Sequence, residues 1–383
     1  MRKAPLLPVA LVVIAVIALF GDRQPAWVHQ CGDKAYLSVR LTDSPQPYPK
    51  SIRARAQVVA IDGLTSQGDI YVYLRPDAIA ATLRYGDQLL IHGYPNTIRH
   101  SIYATSDHYI ITSRDSTSLR ARSEALRLKL LSRMQRGPLP RREAGVAEAL
   151  TLGWRADIEP DTRANYRSAG IAHLLAVSGL HVGLLSAIVG MLLFWLGRER
   201  RGRTTKGCIQ LLSVWAFALL TGLAPSTVRA ALMFSLFIVA DIAGRRTPKL
   251  NLLAAAAIIT LLAKPSLLFD VGWQLSYSAV AGILIARPLI TACRNRIVQA
   301  AAVSTVATVA TLPVSLATFH RFYPYFLIAN VIIVPLAGVI LILSLLYMAL
   351  PISLTAQPLE LILRGVEALT AWIARLPGAE MQW

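Results

Sequence analysis

Residues 171–197 read IAHLLAVSGLHVGLLSAIVGMLLFWLG. A run of this length without Asp, Glu, Lys or Arg is enough to cross ~30 Å of hydrocarbon as a helix, so it predicts a membrane span. At ~100° per residue, His173, His181 and Ser178 fall at about 0°, 80° and 140° on one face. Gly179, Gly183 and Gly190 fall on the other, and Gly179 and Gly183 have the GxxxG spacing that lets a second helix approach closely. Ionisable groups in hydrocarbon are costly and mark cavities or pathways. The polar face is therefore a candidate channel lining and Gly179 and Gly183 a candidate helix-packing seam. A Ser and a His three residues apart also raise a hydrolase, but no motif supplies an oxyanion hole or a third member. No catalytic residue is assigned, and the chain is read as a non-enzyme.

Six further apolar segments lie near 207–223, 226–243, 251–263, 268–287, 297–318 and 325–350, with 251–263 short enough to be broken or re-entrant. Connections 198–206, 245–249 and 287–296 are basic, whereas residues 223–226 are uncharged. The positive-inside rule puts the basic loops in the cytoplasm with Arg2 and Lys3. A hydrophobic content of 55% across 383 residues fits a membrane protein with a second, differently solvated part. The +18 net charge is no argument for nucleic acid by itself, since cytoplasmic loops are basic for topological reasons. Three cysteines, Cys31, Cys208 and Cys293, support neither a disulfide framework nor a zinc site.

Residues 1–20 read as an uncleaved anchor, because GDRQPAWV at 21–28 is a poor cleavage site; a signal peptide is the alternative. From 21 to 116 the text turns to AYLSVRL, SIRARAQVVAI and DIYVYLR, then DAIAATL, then DQLLIHGY and HSIYATSDHYIITS. Three strands, a short helix and two strands is the order of an OB-fold. The expected fold is an α-helical polytopic membrane bundle with an extracytoplasmic small β-barrel, OB-like domain. Ten Lys or Arg against nine Asp nearly cancel there, and eight tyrosines include Tyr71, Tyr73, Tyr85 and Tyr109. Exposed tyrosines can stack on bases, although β propensity explains most of them as core or strand-pair residues.

Residues 117–143 predict a basic amphipathic helix, with Leu119, Leu126, Leu130 and Met134 as its apolar stripe. Its charges Arg120, Arg122, Arg127, Lys129, Arg133 and Arg136 lie on the side disfavoured for basic residues, so they ask for lipid headgroups or a polyanion. A bundle is expected over 144–350 and an interfacial helix over 351–383, where Glu360, Arg364, Glu367 and Arg375 interrupt LELILRGVEALTAWIARL.

Three further clusters fall inside the spans. Pro225 and Ser226 signal a helix start, one turn above Arg229, which either snorkels to lipid phosphate or pairs with that N-terminus around a phosphate. Asp270, Trp273 and Gln274 form the densest polar group; Trp273 is expected to stack on a base or anchor the outer interface. Asn330 and Pro335 mark a span expected to be kinked or discontinuous.

ALTLGWRADIEPDTRANYRSAGIAHLLAVSGLHVG, followed by PSTVRAALM, KPSLLFDVGWQLSYSAVAGI and ANVIIVPLAG, resembles the competence domain of the ComEC family over residues 144–345. The resemblance implies import of single-stranded DNA across the bacterial inner membrane, with channel-lining or channel-shaping roles for His173, Ser178, His181, Pro225, Ser226, Arg229, Asp270, Gln274 and Asn330. Lys264 stands where the family tends to have Asn and Trp273 where Phe is usual, and the outer-domain cysteine pair of some members is reduced to Cys31.

Many members also carry a metallo-β-lactamase-like domain. The seven histidines here include no HxHxDH, and no GxxxxGK[ST] phosphate loop occurs. A separate nuclease, a DNA receptor protein and a cytoplasmic helicase-like motor are the expected partners, beside single-stranded DNA and membrane lipid, with no cofactor and no metal. A small-molecule or lipid-linked transporter and an intramembrane serine hydrolase are the rival functions.

Overall fold

The computed structural model describes residues 6–20, 26–43, 45–48, 51–97, 100–115, 117–196, 199–244 and 247–382. Arg2, Lys3, segment 21–25 of the discounted cleavage site, and Arg198, Arg245 and Arg246 of the basic connections lie outside the described residues. The chain divides into Asp22–Leu128 and a second unit of Met1–Gly21 with Lys129–Trp383. In chain order the helices are α1 (Leu6–Phe20), α2 (Ala26–Gln30), α3 (Ala78–Thr82), α4 (Leu119–Gln135), α5 (Arg141–Leu152), α6 (Pro160–Ser168), α7 (Gly179–Leu192) and α8 (Arg200–Leu220). They continue with α9 (Pro225–Ile242), α10 (Lys249–Ala263), α11 (Val271–Ile285), α12 (Arg287–Ala292), α13 (Arg296–Phe319), α14 (Phe326–Ala349) and α15 (Ser353–Ala374).

The first unit is a sheet of β1 (Ala35–Leu41), β2 (Gln46–Tyr48), β3 (Ser51–Ile61), β4 (Leu64–Leu74), β5 (Gln88–Gly93), β6 (Ser101–Ala104) and β7 (Tyr109–Ser113). Its order is β6-β4-β3-β1-β5-β7, with β2 on β3. Alternation drives it: Leu37, Val39 and Leu41 of β1 and Ile70, Val72 and Leu74 of β4 point into one core closed by Trp27 of α2. Asp77 caps α3 by accepting from the Ala80 N–H at 2.7 Å. The β4–β6 pair is parallel and the other ladders antiparallel. No ladder joins β6 to the far end of the path among the described residues, so the expected closed barrel is not shown.

Among the described residues of the second unit three helices are long and apolar enough to cross a membrane: α9, α13 and α14. The expected span at 171–197 is interrupted. Residues 172–175 form a 3-10 turn, 176–178 are extended or joint residues, and α7 has only 14 residues. Segment 251–263 falls within α10 and segment 268–287 contains α11, each a helix of 15 residues. α14 runs unbroken through Pro335, so the expectation of a discontinuous helix fails there; the proline removes one backbone donor inside the helix. α1 is part of this bundle: its Leu6 N–H donates to Asn251 Oδ1 at 2.7 Å, and Val13, Ile14 and Ile17 join the core around Leu253 and Trp273.

Two amphipathic readings change. Along α4 the buried positions are Ser123, Glu124, Arg127, Leu131 and Met134, while Leu119 and Leu126 are exposed. Of the expected stripe, Met134 is buried and Leu130 half-buried, so only its N-terminal half, Leu119 and Leu126, lies off the packed face. The helix ends at Gln135, and Arg141 and Arg142 belong to α5. α15 buries Ala356, Leu359, Leu363, Val366, Thr370 and Ile373, one helical face, and lies beside α5, α6 and α14. Arg142 of α5 bonds Glu367 at 2.8 Å, and Arg364 bonds Glu143 at 3.1 Å. Protein thus packs on one apolar face of α15, while Leu354, Leu361 and Trp372 remain exposed.

Candidate functional site

The joint before α7 is built by its own sequence. Ser178 is extended and caps the helix, and His181 occupies the position where Glu or Gln completes a capping box. The Ser178 backbone N–H donates to His181 Nδ1 at 3.3 Å, and Ser178 Oγ lies 3.1 Å from the same nitrogen. With Nδ1 accepting, the ring proton sits on Nε2, which is fully buried and has no hydrogen-bond partner. The pair forms the cap with Ser178 Oγ within hydrogen-bond reach of the imidazole, while among the described residues no third residue orients the ring through Nε2. His173 leaves the expected common helix face, since it belongs to the preceding 3-10 turn. It is exposed.

α9 ties this joint to the rest. Pro225 occupies its first turn, where a missing N–H costs nothing, and Ser226 Oγ donates to the Val177 carbonyl at 2.8 Å. One turn on, the Arg229 side chain neither snorkels nor waits for a phosphate. It is 8% exposed, donates from Nη2 to the Gly272 carbonyl at 3.0 Å, and holds Nη1 at 4.0 Å from Asp270. Asp270 also caps α11 by accepting from the Trp273 N–H at 2.8 Å. Thr227, between them, is fully buried and its hydroxyl has no partner.

Trp273 is 4% exposed, so it neither anchors an interface nor offers a face to a base. Its indole N–H donates to Thr260 Oγ1 at 3.1 Å and its ring stacks on Tyr277 at 4.3 Å. Gln274 Nε2 donates to the Leu268 carbonyl at 2.7 Å. Asn330 stands apart: Nδ2 donates to Ser304 Oγ at 2.8 Å and Oδ1 is buried without a partner. Gly179 and Gly183 face α9, where a Cβ would stand 3.6 Å from Ala230 Cβ and 2.8 Å from the Phe234 ring.

The six α4 charges separate. Arg127 is buried in an ion pair with Glu124 at 3.1 Å and cannot serve a polyanion; Arg120 lies 4.7 Å over the Tyr85 ring. Arg133 donates to the Ala349 carbonyl at 2.6 Å. Arg122, Lys129 and Arg136 are exposed.

Sequence reading missed Glu148 on α5, which is 1% exposed. Burial, then the neighbouring Asp157 carboxylate, push its pKa up to about 8. Asp157 accepts from Trp154 Nε1 at 2.7 Å and Gln135 Nε2 at 3.0 Å. An acid in the otherwise apolar AEALTL was the available signal.

ComE operon protein 3 of Bacillus subtilis is 31% identical over 238 residues, covering 62% of this chain and 30% of that protein. Competence protein ComA of Neisseria gonorrhoeae is 30% identical over 167 residues, 40% of this chain and 22% of that protein. The chain thus spans less than a third of the length of these curated relatives, and no solved structure matches it. The competence protein family model matches residues 150–383, the region that holds the capped joint, the α9 tether and the Arg229–Asp270 contact. The chain belongs to the competence protein family, the ComEC family whose motifs its sequence carries.

Proposed function

We propose that the bundle is a bacterial inner-membrane channel importing single-stranded DNA during natural transformation, with the β unit on its extracytoplasmic side. The observation that carries this reading is the joining of three helix N-termini. Ser226 links the start of α9 to the residue before the α7 cap, and Arg229 links α9 to the first turn of α11. Helix N-termini present free N–H groups and the positive end of the dipole, which favour anions. Beside them, His181 Nε2 and the Thr227 hydroxyl are buried donors without partners, the kind of group a polyanion or water would satisfy.

His173, Ser178, His181, Pro225, Ser226, Arg229, Asp270, Gln274 and Asn330 then shape or line the path, and Trp273 supports it from the core. Arg122, Lys129 and Arg136 meet phosphates on α4. A separate nuclease, a DNA receptor and a cytoplasmic helicase-like motor complete the system.

The test is uptake of labelled duplex DNA by a deletion strain complemented with wild type or Thr227→Val, scoring external DNA separately from protected cytoplasmic strands. Deletion should leave external DNA intact and abolish the cytoplasmic strand, and Thr227→Val should lower import without lowering protein level. Unchanged cytoplasmic DNA in a deletion strain without a second copy would refute the reading and leave a small-molecule transporter as the better one.

A further inference from the structure

The end of α4 is fastened to the bundle at several points. α4 runs across the division between the two units, which falls between Leu128 and Lys129, and its last residues belong to the second. The Tyr347 hydroxyl of α14 donates to the Met134 carbonyl at 3.0 Å and accepts from the Leu139 N–H at 3.2 Å. A Cβ on Gly137 would collide with the same phenol and stand 2.9 Å from Pro351 Cβ. Gln135 Nε2 donates at 3.0 Å to Asp157, in the loop that follows α5.

Next to these bonds lies Glu148, fully buried, with neither carboxylate oxygen hydrogen-bonded. The groups that face it are Asp157 from the loop, Gln135 from α4 and Tyr347 from α14. Arg364 and Glu367 of α15 engage Glu143 and Arg142 instead. Among the described residues neither Glu148 nor Asp157 forms a salt bridge. Two neighbouring carboxyl groups with no cation between them, one of them out of water, hold a proton rather than two charges. Asp157 is exposed, which gives that proton a way in and out. Packing alone would be served better by an uncharged side chain of the same size, so the presence of an acid points to its titration.

We propose that Glu148 and Asp157 form a one-proton site that fastens the end of α4 to the bundle: with the proton bound the turn stays packed, and as it leaves the two carboxylates repel and the segment from Gln135 to Leu139 comes away. The closed turn keeps Glu148 protonated up to about 8, whereas a hydrated Glu148 releases its proton near the ordinary 4.5. Opening therefore becomes more favourable as pH rises between these values, by up to about tenfold per pH unit, and levels off above 8. Acid locks the turn and alkali frees it. The inference stands whatever the bundle imports.

The test is hydrogen–deuterium exchange of the full chain in lipid nanodiscs from about pH 5.5 to 9, read on peptides covering residues 129–139 and corrected for the intrinsic pH dependence of amide exchange. In wild type the opening of this segment should rise by about tenfold or more between pH 5.5 and 7.5 and then level off, while peptides from α9 stay constant. Glu148→Gln should keep the segment closed with no pH trend. Asp157→Asn removes the second carboxylate, keeps an acceptor for Gln135, and should move the levelling-off to lower pH. Tyr347→Phe removes two hydrogen bonds without touching the acids, so it should raise opening at every pH and keep the slope. Opening that is independent of pH in wild type overturns the proposal, as does a pH trend that persists in Glu148→Gln.

Discussion

Replacing Glu148 by Gln should stabilise the protein, and by more as pH rises. In the fold Glu148 titrates at about 8 against an ordinary 4.5, because burial and the Asp157 carboxylate disfavour its charge. The native state therefore holds this proton between those values while the unfolded chain releases it, and stability falls as pH climbs through the window. At ~1.36 kcal/mol per unit, the penalty at pH 7 is on the order of 3 kcal/mol, and it levels off above pH 8. Glutamine keeps the shape and never ionises. Thermal unfolding in detergent, followed by intrinsic fluorescence from pH 5 to 8.5, should show nearly equal melting at pH 5 and a variant more stable by about 6–12 °C at pH 7, using the ~2–4 °C per kcal/mol of large domains. Curves that stay parallel across the range would show that Glu148 is already ionised in the fold, and the reasoning from its burial would be wrong.

Gly183→Val should cost about 1–3 kcal/mol by driving a side chain into the Phe234 ring, and Phe234→Ala in the same protein should restore part of the melting temperature. Ser178→Ala should lower stability by about 1 kcal/mol through loss of the cap, while a serine-directed phosphonate should label neither protein; labelling that disappears in the variant would revive a hydrolase. Arg127→Ala should destabilise the protein by breaking the buried pair with Glu124. Arg122→Ala, in contrast, should leave melting unchanged and flatten the salt dependence of DNA binding by about 0.7–0.9 in slope.

The β unit was legible almost strand by strand: AYLSVRL and SIRARAQVVAI coincide with β1 and β3, because period-two alternation is a local property that pairing keeps. Closure of a barrel was not legible, since it depends on which distant edges meet. Hydropathy ran straight through VSGLH because it averages over the one place where a serine cap and a glycine restart the helix. The Ser178–His181 spacing, a capping box with an imidazole in the acid's place, was the overlooked cue. Arg229 and Trp273 were misplaced for a different reason. Their burial is decided by α10 and α11, whose proximity to α9 no local pattern announces. On α4, spacing alone favoured the leucines, but the internal pairing of Glu124 with Arg127 let a charged face turn inward.

The brevity of α7, α10 and α11 has a consequence for the lipid. Helices of 14 or 15 residues rise only ~21–23 Å, against a hydrocarbon layer of ~30 Å. α13 and α14, of 24 residues each, reach that thickness, and α9 with 18 nearly does. In the channel proposed above, lipid seated against the short helices would have to thin, at a cost of fractions of a kcal/mol per Å. Acyl-chain length would then become a variable of the proposed channel, with thinner leaflets relieving the mismatch.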